Sequence, residues 1–225
     1  MSPGVVVFDA VGTLIEPCPP AAEAYCQTAA EAGLQRDPQR VRRRLAEQIA
    51  AAERRAADRP TSAEQERQFW AGVIEAVLQP PPDVDLLDPL WQRFSRPQAW
   101  QVLPEVPETL SLLAADGWRL AVASNFDSRL RTLCRQLPEL PRDLTVFCCD
   151  DVGWRKPHAK FYEQVHRRLP SGRRVMVGDD VEGDVLAPCR AGWSAVLIGR
   201  PDQPLPDGAA AIDRLAELPR VLAAL

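Results

Sequence analysis

The chain has 225 residues, of which 46% are hydrophobic and 26% charged, and its net charge at pH 7 is −4. This composition is typical of a globular protein of one or two domains and excludes an intrinsically disordered chain. The acidic balance offers no basic surplus for nucleic acid or an anionic membrane, so neither is expected as a partner.

Targeting signals are not expected either. No apolar run is long enough to span a bilayer, and no basic region precedes the first strand-like segment, which argues against a signal peptide. With only two histidines in the chain, a zinc site is not expected. These features predict a cytoplasmic protein with reduced thiols and leave its oligomeric state open. The six cysteines, which show no C-x-x-C spacing, are Cys18, Cys26, Cys134, Cys148, Cys149 and Cys189.

The first predicted element is a strand over residues 4–9, where the apolar run VVVF ends at Asp9. A carboxylate at the carboxyl end of a buried strand lies where open α/β sheets place their chemistry. A tight turn follows, with Gly12 and Thr13. The position two residues after Asp9, where a second acid could assist, holds Val11.

Residues 17–100 form a block rich in Ala, Arg, Glu and Gln that contains no strand-like run. Over residues 38–57 apolar side chains recur at helical spacing, which predicts an amphipathic helix. The next helix is expected to begin with a capping box at residues 61–64 and to stop at Pro80. The block therefore reads as an all-helical insertion over the carboxyl edge of a sheet.

From about residue 104 onward, strand-like and helical runs alternate, which predicts βαβ units and a parallel sheet. Strands are expected over 119–124, 144–149, 174–179 and 194–199, and helices over 127–137, 158–169 and 182–191. The predicted fold class is α/β: a Rossmann-like parallel sheet with helices on both faces and an inserted helical cap domain. Residues 1–16 and 101–225 would form the α/β core domain, and residues 17–100 the cap.

Polar side chains follow four of the predicted strands, and the carboxyl ends of parallel strands share one edge of a sheet. Opposed carboxylates there would repel unless a cation lay between them, and hard oxygen ligands suit Mg²⁺. A hydroxyl at a helix start and a lysine could bind phosphate, so the set favours phosphoryl transfer. The residues are Asp9, Ser124, Asn125, Lys156, Asp179, Asp180 and Asp184.

This ordered set resembles the haloacid dehalogenase-like hydrolase superfamily. Its four motifs are visible as FDAVGTL (8–14), ASN (123–125), WRKP (154–157) and VGDDVEGD (177–184). The helical block takes the place of the family's cap, so the resemblance covers nearly the whole chain. Stretches such as GWRLAVASNFDSRL and VGWRKPHAKF look like the group of uncharacterised dehalogenase-like hydrolase-domain proteins.

The resemblance implies a hydrolase that uses Mg²⁺ and acts on a small phosphorylated metabolite. Asp9 would be the nucleophile that forms an aspartyl-phosphate, and Lys156 would hold both the phosphate and Asp9. Ser124 would bind phosphate, with Asn125 beside it. The remaining roles would be metal ligation by Asp9, Asp179 and the backbone carbonyl of Val11, and support by Thr13, Asp180 and Asp184.

The chain departs from the family's phosphatases at Val11, because they carry there an acid that protonates the leaving group and then activates water. Loss of a general acid–base costs about 10²–10⁴-fold in rate. We therefore expect weak turnover of ordinary alkyl phosphates, or a restriction to substrates with good leaving groups. His158 could replace the acid, although a plain helix-start residue is the simpler interpretation.

Three other functions are compatible with parts of this pattern. A nearly inactive member could bind a phosphorylated ligand or a partner protein. A metal-independent 2-haloacid dehalogenase would also lack the second acid, but the GDDVEGD segment (178–184) favours Mg²⁺. A phosphonatase needs a lysine in the cap, and residues 17–100 contain none.

Overall fold

The structure, a computed structural model, describes residues 3–225 and is centred on a six-stranded parallel sheet. The strands of this sheet are β1 (Val5–Phe8), β4 (Arg119–Ser124), β5 (Thr145–Cys148), β6 (Arg174–Gly178), β7 (Ser194–Ile198) and β8 (Ala209–Ile212). Their order is β5-β4-β1-β6-β7-β8, and every neighbouring pair is parallel. Residues 1 and 2, part of the predicted core domain, lie outside the described residues.

Strand β1 shows why the apolar runs become inner strands. Val6 and Phe8 pack into the hydrophobic cluster on one face of the sheet, whereas Val5 and Val7 pack into the cluster on the other. Because helices cover both faces, every position of the strand must be apolar, and alternation with polar residues is lost. The predicted fold class, a parallel α/β sheet with helices on both faces, is confirmed.

Ten α-helices are described between residues 3 and 225. Two of the three helices predicted in the α/β part are found nearly as expected. The segment predicted as one helix over 182–191 is a π-helical turn, Val181–Leu186, followed by a short α-helix. The helices are α1 (Ala21–Glu31), α2 (Pro38–Ala56), α3 (Ala63–Leu78), α4 (Leu87–Phe94), α5 (Val106–Ala115), α6 (Arg129–Gln136), α7 (Cys149–Val152), α8 (Ala159–Arg168), α9 (Ala187–Arg190) and α10 (Leu218–Ala224).

Helices α1–α4 bury an apolar cluster of their own, to which Val41 and Leu45 of α2 contribute as the helical spacing predicts. The start of α3 differs from the prediction. Its N-cap is Ser62, whose hydroxyl accepts a hydrogen bond from the backbone N–H of Gln65, so the capping residue lies one position later than expected. The helix ends at Leu78, shortly before the proline run, as predicted.

The prediction that residues 17–100 contain no strand is wrong at both ends of the block. A two-stranded antiparallel sheet is formed by β2 (Ile15–Pro17) and β3 (Trp100–Val102), with Pro17 opposite Trp100. Each strand has only three residues, so no periodic pattern could reveal either one. The division into core and cap at residues 17 and 100 stays a prediction, and it is consistent with the separate apolar cluster of α1–α4.

All six cysteines are free. Among residues 3–225, none of the helices combines the length and the apolar composition needed to cross a bilayer. Strand β8 was not predicted, because three of the four residues in its sequence AAAI are alanines, which are depleted in strands.

Candidate active site

The first and last acidic strand ends lie side by side. Strands β1 and β6 are neighbours, and the backbone N–H of Asp9 donates to the carbonyl of Val177 at 2.8 Å. Asp9, Asp179 and Asp184 each offer a carboxylate oxygen, and these oxygens lie within 4.8 Å of one another. The sheet topology thus brings Asp9 next to two acids that lie 170 and 175 positions further along the chain.

Lys156 lies between two of these acids. Its Nζ is 2.7 Å from Asp9 Oδ1 and 2.6 Å from Asp184 Oδ1. All three side chains are almost fully buried. Burial opposes the charged form of Lys156, but the carboxylates of Asp184 and Asp9 outweigh it and hold the pKa of the ammonium above its ordinary value. The lysine is therefore a fixed positive charge beside the proposed nucleophile.

Asn125 fixes the position of Lys156 through its backbone. The side-chain oxygen of Asn125 accepts from the Lys156 N–H at 2.7 Å, and the side-chain nitrogen donates to the Lys156 carbonyl at 3.0 Å. Its amide is therefore engaged on both sides. This contact supports a positioning role for Asn125 in addition to the phosphate binding that the sequence suggested.

The three carboxylates of Asp9, Asp179 and Asp184 carry more negative charge than Lys156 alone can neutralise. Burial raises the pKa of Asp179 above its ordinary value, and the charge of Asp9 adds to this. Burial also raises the pKa of Asp184, although the Lys156 ammonium opposes the shift. A divalent cation would relieve this repulsion, and three carboxylate donors suit Mg²⁺. The residues present therefore fit the predicted metal ion.

Two glycines permit this crowding. Gly12 has φ +87°, and a Cβ on it would lie 2.4 Å from Asp179 Oδ2. A Cβ on Gly178 would lie 2.1 Å from Asp184 Oδ2. Both distances are far shorter than any real contact of a methyl group, so these glycines let the backbone approach the acids closely.

The strand ends enclose a cavity of about 240 Å³, which we call the acidic cleft. Of the predicted site residues, only Thr13 is not among those lining it; its hydroxyl is buried without a hydrogen-bond partner among the described residues. Asp180 lies at the edge and accepts a hydrogen bond from the Glu182 N–H. The cleft is lined by Asp9, Val11, Ile49, Glu53, Phe69, Trp70, Ser124, Asn125, Phe126, Arg155, Lys156, Asp179, Asp180 and Asp184.

Position 11 carries no acid, and Glu53 of α2, which also lines the cleft, is paired with Arg155 at 3.5 Å. The Val11 side chain is 38% exposed and lines the acidic cleft. His158 lies outside the cleft: its Nδ1 accepts from the Lys160 N–H, and its ring stacks on Trp154 at 4.1 Å. The simpler interpretation of His158 as a helix-start residue is confirmed.

A second cavity, of about 170 Å³, adjoins the acidic cleft, and we call it the apolar chamber. Trp70 of α3 lines both spaces. The chamber lies between helices α1–α4 and the α/β part of the molecule. It is lined by Val11, Pro17, Ala21, Tyr25, Leu45, Ile49, Trp70, Ile74, Leu90, Trp91, Phe94, Trp100, Phe126 and Arg129.

Arg155, next to Lys156 in the chain, is a residue that sequence reasoning missed. Its buried guanidinium pairs with the buried carboxylate of Glu66 on α3, lies 3.5 Å from Glu53 on α2, and stacks over Phe69 at 4.3 Å. A signal was present, because Glu66 falls on the same helical face as the apolar Val73. An acid on a buried face predicts a buried partner.

The ion pair between Arg155 and Glu66 should contribute strongly to stability. Glu66→Ala should lower the free energy of unfolding by about 3–5 kcal/mol, because it leaves the buried Arg155 charge without its main partner. Glu64→Ala, on the exposed face of the same helix, is the matched control and should cost less than about 0.5 kcal/mol. Urea denaturation of both variants measures the difference. Equal losses would contradict the assignment of Arg155–Glu66 as a structural pair.

Comparison with known proteins gives a consistent result. Residues 3–192 match the family pattern of haloacid dehalogenase-like hydrolases. Haloacid dehalogenase-like hydrolase domain-containing protein 3 of Danio rerio is 28% identical over 211 residues, which cover 88% of this chain and 85% of that protein. Glyceraldehyde 3-phosphate phosphatase of Methanothermobacter thermautotrophicus is 31% identical over 103 residues, 42% of this chain and 43% of that one.

Solved structures share the architecture. The HAD-hydrolase YfnB of Bacillus subtilis, solved with bound magnesium, superposes with a TM-score of 0.77 over 99% of this chain and 100% of its own. Its sequence is 18% identical, so the likeness concerns the fold.

Proposed function

The chain belongs to the haloacid dehalogenase-like hydrolase family, and on that premise we propose that it is a Mg²⁺-dependent phosphatase of small phosphorylated molecules with Asp9 as its nucleophile. The observation that carries the proposal is the placement of the Asp9 carboxylate. It lies at the end of the central strand, 2.7 Å from the Lys156 ammonium and beside two further acids. Such an arrangement suits an anionic nucleophile that must approach an anionic substrate.

In the proposed reaction, a carboxylate oxygen of Asp9 attacks phosphorus while the bond from phosphorus to the ester oxygen breaks. Oδ1 of Asp9 accepts the hydrogen bond of Lys156, which leaves Oδ2 for the attack. Water then hydrolyses the aspartyl-phosphate, releasing phosphate and restoring Asp9. Ser124, buried at the end of β4, supplies a hydroxyl to the phosphoryl oxygens.

A magnesium ion would be held by Asp9 and Asp179, with Asp184 nearby and with the Val11 carbonyl as the predicted further ligand. When bound, it would neutralise charge on the phosphoryl oxygens. The fold relative YfnB was solved with magnesium, and a matching relative is named a glyceraldehyde 3-phosphate phosphatase. Both support the proposal for this chain.

Val11 defines the expected limits of the activity. Because Val11 carries no proton and Glu53 of the cleft is paired with Arg155, we expect the leaving oxygen to depart without a proton from the protein and to take one from solvent. Substrates with weakly basic leaving groups should therefore react much faster than alkyl phosphates.

The proposal is tested by phosphate release from acetyl phosphate and phenyl phosphate, with Mg²⁺ and with excess EDTA. We expect hydrolysis with Mg²⁺ and loss of at least about 10²-fold in EDTA. Isothermal titration of Mg²⁺ into the protein gives a readout independent of turnover. Asp179→Asn should weaken that binding at least about tenfold, whereas Asp116→Asn, an exposed acid remote from the cleft, should not.

Other outcomes separate the alternatives. Stabilisation by Mg²⁺ and a phosphonate without any turnover would favour the ligand-binding protein. Release of chloride from 2-chloropropionate in EDTA would favour the dehalogenase. Either result would contradict the phosphatase proposal.

A further inference from the structure

The apolar chamber shares part of its wall with the acidic cleft that contains Asp9. Val11, two residues after Asp9, lines both the chamber and the acidic cleft, and so do Ile49, Trp70 and Phe126. The two spaces therefore share a wall. A substrate with its phosphoryl group at Asp9 has the chamber as the adjoining space for the group that departs.

The chamber matches one aromatic ring in size. Its volume is about 170 Å³, and an apolar protein cavity of about 150 Å³ is large enough to take up benzene. A sugar or another hydroxylated group of the same size would lose its hydrogen bonds to water there without replacement. The aromatic side chains among the lining residues are Tyr25, Trp70, Trp91, Phe94, Trp100 and Phe126.

The lining of the chamber also includes the Trp70 indole N–H and the Arg129 guanidinium. The indole N–H of Trp70 is buried and has no hydrogen-bond partner among the described residues. Such a donor costs free energy unless an acceptor or an aromatic face meets it. The Arg129 guanidinium is already engaged, because it pairs with Asp127 at 2.7 Å and lies 3.5 Å from the centre of the Trp91 ring. The Arg129 charge is therefore compensated within the protein, so the chamber presents no uncompensated charge to an occupant.

We propose that the apolar chamber holds the leaving group of the substrate and that this group is a single aromatic ring, so that the substrate class is the phosphate monoesters of phenols. The inference rests on the proposed phosphatase function and adds its substrate class.

The chemistry agrees with the absence of an acid at position 11. As the Asp9 oxygen bonds to phosphorus, the bond from phosphorus to the aryl oxygen breaks and its electrons leave on a phenolate. A phenol has a pKa of about 10, as the tyrosine side chain does, whereas aliphatic alcohols are much weaker acids. The phenolate can depart unprotonated and take its proton from water afterwards.

The chamber is tested first by binding, without turnover. Phenylphosphonate and methylphosphonate carry the same charged group, and calorimetry with Mg²⁺ should give at least about tenfold tighter binding of the phenyl compound. Ala21→Phe adds a ring at the chamber wall and should cut this advantage at least about tenfold. Ala21→Leu is the milder variant if the larger side chain impairs folding. Ala30→Phe, on the exposed face of the same helix, should leave it unchanged.

Kinetics then separate the inference from the function on which it rests. We expect kcat/KM for phenyl phosphate to exceed that for cyclohexyl phosphate at least about 10²-fold, and Ala21→Phe to impair phenyl phosphate but not acetyl phosphate. Hydrolysis of acetyl phosphate with no preference for phenylphosphonate would overturn the inference and leave the phosphatase function intact. Selective binding of phenylphosphonate with no turnover of any phosphate would support the chamber and contradict the phosphatase.

Discussion

Replacement of Asp9 by Asn should lower phosphate release by at least about 10⁴-fold for every substrate that the protein hydrolyses. Asparagine keeps the shape of the side chain but cannot form the aspartyl-phosphate. At Mg²⁺ concentrations high enough to offset weaker metal binding by the variant, the loss should lie in kcat, because Ser124 and Lys156 remain available to the phosphoryl group. Steady-state kinetics with acetyl phosphate and trapping of the phosphorylated enzyme provide the measurement.

A control variant must show that the loss in Asp9→Asn comes from the missing nucleophile and not from misfolding. Asp116→Asn makes the same change of charge on an exposed residue before β4, at the opposite edge of the sheet. It should retain full activity, and both variants should bind phenylphosphonate. Phosphate release by Asp9→Asn within about tenfold of the original chain would remove Asp9 from the mechanism.

Replacement of Val11 by Asp should raise the turnover of alkyl phosphates by about 10²-fold or more, because it introduces the general acid that is missing at position 11. The Val11 side chain is 38% exposed, so a carboxylate there remains hydrated and costs little stability. Phenyl phosphate should gain far less, since its leaving group needs little protonation. Measurement of kcat for glycerol phosphate and phenyl phosphate, each against pH, tests both expectations.

Val11→Asn is the matched control for this gain. It has the shape and polarity of the aspartate but no titrating proton, so it should not accelerate alkyl phosphates. Equal gains in both variants would mean that polarity at position 11, and not proton transfer, limits the rate. Absence of any gain in Val11→Asp would contradict the explanation of weak activity by a missing acid.

The sequence predicted the parts of the site that depend on local pattern and sheet topology. The apolar run before Asp9 forms the central strand, and the rule that parallel strands end at one edge brings Asp9 near Asp179. Lys156 lies 2.7 Å from Asp9, as a lysine at this edge should. The family resemblance is confirmed over residues 3–192. The catalytic roles of these residues stay predictions.

Features that depend on contacts between distant segments could not be predicted. Pro17 pairs with Trp100 across more than eighty positions, and three-residue strands carry no periodic signal. Arg155 meets Glu66 only because α3 packs over the loop before Lys156. The apolar chamber likewise arises where side chains of several helices meet Val11, and no single segment encodes it.

The short antiparallel pair β2–β3 has an evolutionary consequence. The chain enters and leaves the helical segment α1–α4 at Pro17 and Trp100, which are direct partners in the two-stranded sheet. The segment between them, residues 18–99, therefore begins and ends at neighbouring positions. Insertions and deletions within it need not displace Asp9. Changes of length in the segment can therefore alter the walls of the cleft and of the chamber while strand β1 keeps Asp9 in place.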